Sequence, residues 1–157
     1  MRRSLITALS VLLAMGAVGA AQSKTMMMTQ AQASQQIQDT LGTWTCKSAE
    51  GTHTATFTSI LGGKGMRITE NAMGGSIDTV VFDVKRQKWI DQHVDAQSYG
   101  VMEGTPVKRG IDFALVYPGR MNGAGTVRFP SKNTQVTNFF AVVNGKKVSM
   151  KETCTKS

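Results

Sequence analysis

Two cysteines stand near opposite ends of the patterned part of this chain. Cys46 closes the stretch Leu41-Gly42-Thr43-Trp44-Thr45-Cys46, and Cys154 lies in Lys147-Val148-Ser149-Met150-Lys151-Glu152-Thr153-Cys154. Each stretch reads as a β-strand, the first entered through a tight glycine turn. Side chains alternate faces along a strand, so Trp44 shares a face with Cys46, and Val148 and Met150 share one with Cys154. Bonding the two sulfurs ties the first strand to the last, which closing a sheet into a barrel demands. One disulfide is the simplest use of two cysteines in an exported chain; a metal-bound or free reactive pair is the alternative. A bond here closes a loop of roughly 110 residues, and chain entropy assigns it on the order of 4–5 kcal/mol.

The export premise comes from residues 1–21. Arg2 and Arg3 supply a charged start, an apolar run follows from Leu5 to Val18, and small residues Gly19-Ala20-Ala21 end it. This is the three-part pattern of a secretory signal, with cleavage expected after Ala20 or Ala21. The apolar run is shorter than the roughly 20 residues that span a bilayer. What remains, about 136 residues, suits one domain with one core. The formal charge of +8 falls to about +6 once Arg2 and Arg3 are removed. The basic residues are scattered and not interleaved with aromatics, so a stacking platform for nucleic acid is not expected. Solubility, with at most weak contact with anionic envelope surfaces, is the expected use of the charge.

Residues 22–40 read as a polar linker with a short helix. The helix is expected over Thr29 to Asp39, with Ala31, Ile37 and Leu41 on a thin apolar face and Gly42 as its stop. Met26-Met27-Met28 offers thioethers of the kind that suit Cu(I). Neighbouring side chains point apart, however, and an adaptable linker is the expected role.

From Leu41 onward short alternating runs are separated by turn residues every ten to fifteen positions, the all-β pattern. Turns are expected at Gly62-Gly63-Lys64-Gly65, Gly74-Gly75, Lys85 to Lys88, Gly104-Thr105-Pro106, Pro118-Gly119, Asn122-Gly123 and Asn144-Gly145. About ten strands result. Such a set favours an all-β, single antiparallel up-and-down meander barrel over residues 41–157, because closure removes the exposed edges. A β-sandwich is the runner-up. The expected inward set is Trp44, Ala55, Phe57, Ile68, Val80, Phe82, Phe113, Leu115, Phe129, Phe140, Val148 and Met150.

Leu-Gly-Thr-Trp at 41–44, a short helix before it and a meander after it, together with Val81-Phe82-Asp83 and Lys88-Trp89-Ile90-Asp91 around a basic tip, resembles the calycin group of lipocalins, fatty-acid-binding proteins and nitrobindin-like barrels. The likeness covers roughly residues 37–156 and is nearest to small exported bacterial barrels. It implies an apolar ligand enclosed by the barrel, or a haem in the nitrobindin branch. The haem motifs of that branch are not matched, and no cofactor is expected.

Catalytic chemistry finds little to build on. The cysteines are expected to be oxidised, and no serine lies in a strand–turn–helix context. On a strand Asp91, His93 and Asp95 share a face with Trp89 and could bind a divalent metal or run acid–base chemistry if that face looked inward. Ile90, Val94 and Ala96 make the opposite face apolar, so the expectation is that the acidic face meets solvent. His53 is expected to be a structural histidine at the barrel rim. No catalytic or metal-binding residue is therefore assigned. The reading is an exported, monomeric, non-catalytic barrel that binds a small apolar or amphipathic ligand through Trp44, Phe57, Phe82, Phe113 and Phe140. It is periplasmic or secreted and has no specific nucleic-acid partner. The alternative is an envelope or secreted interaction module with a solid core and a basic surface.

Overall fold

The computed structural model describes residues 25–71, 74–96, 98–117, 122–143 and 146–157. The expected leader and the turns at 118–119 and 144–145 lie outside these. Among the described residues ten strands follow one α-helix: α1 (Gln30–Thr40), β1 (Gly42–Ser48), β2 (Gly51–Ile60), β3 (Gly65–Glu70), β4 (Ser76–Asp83), β5 (Lys88–Asp95), β6 (Tyr99–Val107), β7 (Gly110–Tyr117), β8 (Asn122–Ser131), β9 (Thr134–Val143) and β10 (Lys146–Lys156). Each strand pairs antiparallel with its sequence neighbours, and β1 pairs with β10, so the sheet is a closed up-and-down barrel. At that seam Cys46 stands opposite Cys154, and the two form a disulfide with a Cα–Cα distance of 3.9 Å.

One end of the barrel is plugged. Thr29 caps α1 through a capping box with Gln32, each side chain taking the other residue's backbone N–H. The helix buries Ala33, Ile37 and Thr40, whose spacing of four and three keeps them on one stripe. Ala31, expected on that stripe, is exposed because it sits two positions from Ala33 and hence on another side of the helix. Ala33 and Ile37 pack on Val80, Phe82 and Trp89, with Met28, Leu41, Met66, Ile68 and Ile111 around them. Leu41 leaves the helical conformation after Thr40, and Gly42 opens β1 at φ +123°, a conformation that costs any residue with a Cβ. Trp44 then turns under the helix, and its Nε1 donates to the Thr40 carbonyl at 2.9 Å.

The Met-rich segment is tied down. Met26 N–H donates to the Pro106 carbonyl at 2.9 Å, and Thr25 forms a bridge with Val107. Gln87 clasps Met28 from both sides: its Oε1 accepts from the Met28 N–H at 2.7 Å and its Nε2 donates to the Met28 carbonyl at 3.0 Å. The Met26 and Thr25 contacts fall on the last two residues of β6. The strand was expected to stop at Gly104 but runs through Pro106 to Val107. Asn122-Gly123, expected as a turn, opens β8.

Phe140 corrects the inward set. Its neighbour Phe139 faces the lumen, while Phe140 is 41% exposed on the outer surface with Lys147 Nζ 5.0 Å above its ring. A one-residue slip in phase inverts every side chain of a strand. The run Phe139-Phe140-Ala141-Val142 is apolar in both phases, so alternation alone does not choose between them. The structure also gives the reason for the choice. Phe113 and Phe139 flank Gly125 on the adjacent strands and stack at 5.9 Å across it. A Cβ on Gly125 would meet the Phe113 ring at 2.5 Å.

Candidate functional site

Above the plug the barrel holds a lumen of about 840 Å³. Its two walls differ. The wall from β6 to β10 is apolar, with Met102, Phe113, Leu115, Phe129, Phe139 and Met150 among its side chains. The wall from β2 to β5, joined by Glu152 of β10, is acidic. Six of the ten acidic residues of the chain line the lumen: Glu50, Glu70, Asp78, Asp91, Asp95 and Glu152. No Lys or Arg among the described residues does.

Strand β5 carries the centre of this wall. Trp89, Asp91, His93 and Asp95 all point inward, the reverse of the solvent-facing expectation. Val94 is 48% exposed on the outside, and Ile90 is in phase with it. The deciding signal was Trp89, a large aromatic that packs on Phe82 at 5.0 Å in the plug and so fixes the phase of the whole strand. The same rule places the acids of neighbouring strands. Glu70 is in phase with Met66 and Ile68, Asp78 with Val80 and Phe82, and Glu152 with Cys154. None of these three was singled out from the sequence, although each lies two positions from a residue of the apolar face.

Along β5 the inward positions rise from the floor at Trp89 to the mouth at Asp95, about 20 Å at ~3.3 Å per residue. Near the mouth His93 bridges two carboxylates, with Nδ1 2.8 Å from Asp78 Oδ1 and Nε2 3.1 Å from Asp95 Oδ2. Both ring nitrogens then donate, which is the imidazolium state. Its pKa is raised to about 9, first by the hydrogen bond to Asp78 and against the cost of burial. Ser98 holds Asp95 in place, its Oγ donating to Oδ2 at 2.7 Å.

Asp91 lies deeper. Burial pushes its pKa up to about 8, and the charges of Asp78 and Glu70 add to this while His93 opposes it. Its Oδ1 is buried with no hydrogen-bond partner among the described residues, and the same holds for Trp89 Nε1. Such groups cost about 1–3 kcal/mol each when left unsatisfied. Glu70 is raised by burial and by Asp78, and Glu152 mainly by burial.

His53 forms a second group beside the disulfide, opposite Cys46 in the ladder. Its Nε2 lies 3.4 Å from Glu152 Oε1 and 3.9 Å from Glu70 Oε2, without hydrogen-bond geometry to either. Cys46, His53 and Glu152 place ligand-type atoms within 4.8 Å of one another. A disulfide sulfur is not a thiolate, however, and only the thiolate is a good metal ligand.

Of the five aromatic residues expected to hold a ligand, Phe57 and Phe113 line the lumen. Trp44 and Phe82 are buried in the plugged end, and Phe140 is outside. A scan against protein-family models and a search of curated proteins each found no match to this chain. The fold and the lumen therefore define it by themselves: a closed ten-strand antiparallel barrel, plugged by a helix at one end, with an acidic wall facing an apolar one.

Proposed function

We propose that this protein is an exported, non-catalytic carrier that encloses a small amphipathic ligand in its barrel. The observation that carries the reading is the lumen of about 840 Å³ with an aromatic wall. Ligand sites in proteins run from about 300 to 1,000 Å³ and combine apolar surface with a few placed polar groups. A barrel used only as a scaffold has no reason to leave this space, and filling it with larger side chains would stabilise the core. Export is supported by the leader pattern and by the disulfide, which forms and persists in oxidising compartments. Membership of the calycin group is part of the same proposal, supported by the closed meander and the helix before its first strand.

Native mass spectrometry of the protein purified from an oxidising compartment without detergent tests the reading. The expected spectrum is a chain lacking about 21 residues and two hydrogens, with an extractable adduct of a few hundred daltons. The emptied protein should then bind the neutral probe N-phenyl-1-naphthylamine one to one, with a Kd on the order of 10 µM. Absence of both adduct and probe binding removes the carrier reading.

A second reading, acid–base catalysis, is favoured by the inward Asp78–His93–Asp95 chain. His93→Ala separates the two. A carrier keeps its probe affinity within about threefold, and an enzyme loses turnover by the 10²–10⁴-fold typical of a general acid or base.

A further inference from the structure

The acids of the lumen are more numerous than its internal cations can neutralise. The chain has 18 Lys and Arg against 10 Asp and Glu, yet the described lumen holds six of the acids and none of the basic residues. His93 is committed to Asp78 and Asp95. His53 faces Glu70 and Glu152. That leaves Glu50, exposed at the mouth, and Asp91, on the lumen wall one inward position above the floor, whose buried Oδ1 has no hydrogen-bond partner among the described residues.

We propose, building on the carrier reading, that the lumen selects an amphiphile with a cationic head: an ammonium or amidinium group seats on Asp91 near Asp78 and Glu70, and the hydrocarbon body lies against the Phe113–Phe139 wall. Three observations carry this. The buried acceptor on Asp91 is satisfied by an N–H donor, and a charged donor forms the stronger bond. A carboxylate, sulfate or phosphate head would enter a space lined by six acids and no Lys or Arg among the described residues, where like charges repel strongly at low dielectric. Acids at the mouth, Glu50 and Asp95, extend the negative potential to the entrance and favour cations there.

An inorganic cation is the weaker candidate. Among the described residues the one converging set of metal-type ligands is Cys46, His53 and Glu152, and its sulfur is oxidised. The carboxylates around Asp91 come from different strands and face an apolar wall, which suits one charged head with an organic body.

The proposal fixes a pH dependence. The titratable groups facing Asp91 are Glu70 on β3, Asp78 on β4 and His93 on β5, while β6 offers the uncharged Met102 opposite. A cationic head stabilises the ionised form of Asp91, so its affinity rises from pH 6 to pH 8 as the competing proton is lost.

Titration with decylamine, 1-decanol and decanoate, followed by intrinsic tryptophan fluorescence at pH 8, tests the inference. The expected order is decylamine at least tenfold tighter than 1-decanol, with decanoate weakest. Asp91→Asn should abolish the preference, bringing decylamine to within about threefold of 1-decanol measured on the same variant. Equal affinities for the three in the native protein overturn the head-group assignment and leave the carrier reading standing. Failure of all three to bind while N-phenyl-1-naphthylamine still binds overturns the inference and leaves the carrier reading standing; absence of adduct and probe binding as well overturns both. Saturable Ca²⁺ or Zn²⁺ binding lost in Asp91→Asn, without any preference between decylamine and 1-decanol, reassigns the site to an inorganic cation and also overturns the inference.

Discussion

Removing the disulfide, by reductant or as Cys46→Ser with Cys154→Ser, should lower the melting midpoint by about 15 °C. The size follows from topology. The bond spans 108 positions in sequence, so it suppresses a large loop in the unfolded chain, worth on the order of 4–5 kcal/mol. A domain of this length loses roughly 3–5 °C per kcal/mol. The location adds a second reason. The β1–β10 seam joins the chain's most distant strands, and its register covers only four positions, Trp44 to Lys47 against Thr153 to Lys156. The bonded pair sits in the middle of that seam and packs with Trp44, Ala55 and Phe57. Cys46 and Cys154 also line the lumen, so loosening the seam opens its wall. Binding of N-phenyl-1-naphthylamine should weaken at least fivefold at temperatures where the reduced protein remains folded. Paired melts with and without reductant, and probe titration of the double variant at 15 °C, check both parts. A midpoint shift under about 3 °C would show that the ladder and the Trp44 cluster close the barrel without the bond.

The barrel was legible in the sequence because its causes are local or binary. Alternation sets the strands and glycines set many of the turns. The two cysteines fall on the terminal strands, where only closure brings them opposite each other. The lumen was harder to read, and β5 shows why. Both of its faces look plausible as the core side: Ile90 and Val94 are aliphatic, while Trp89 shares its face with three ionisable groups. The hydrophobic rule chose the aliphatic face. The structure chose the tryptophan, because burying one large ring in the plug outweighs exposing two smaller side chains. Acids then followed inward with it. Elsewhere the rule met no conflict, as at Phe57 and Phe113, and the inward assignment agrees with the lumen. At Phe139-Phe140 the sequence carried no information on phase, since both residues are the same. There the choice depended on Gly125, a residue on another strand that leaves room for stacked rings. Contacts of that kind become visible only once the register is known.

The inward acids also set how the protein should respond to pH, and the expected response is a steady loss of stability from about pH 5 to pH 9. For Asp91 the unfolded value is 3.8 and the folded value about 8, so the folded state holds a proton that the unfolded state releases. Stability therefore falls as pH rises between these two values and is level above them. His93 acts in the same direction by a different route. Its folded value of about 9 exceeds 6.5, so the stability it gains from Asp78 and Asp95 is complete below pH 6.5 and is lost as pH rises through 9. Glu70 and Glu152, both raised, extend the decline toward acid pH. At about 1.4 kcal/mol per pKa unit, Asp91 alone accounts for a loss of a few kcal/mol, or on the order of 10 °C in midpoint. Asp91→Asn should remove the Asp91 share of the slope and melt above the native protein at pH 8, because it is uncharged like the protonated acid and has no proton to lose. Asp112→Asn is the control: that residue lies on the outer face, paired with Arg128, and its loss should leave the slope intact. Differential scanning calorimetry of the three proteins from pH 4.5 to 9 decides the matter. A native midpoint that stays constant or rises between pH 5 and 8 would mean that water reaches Asp91 and keeps it ionised, and a wet lumen floor would leave an entering cation with far less to gain from that carboxylate.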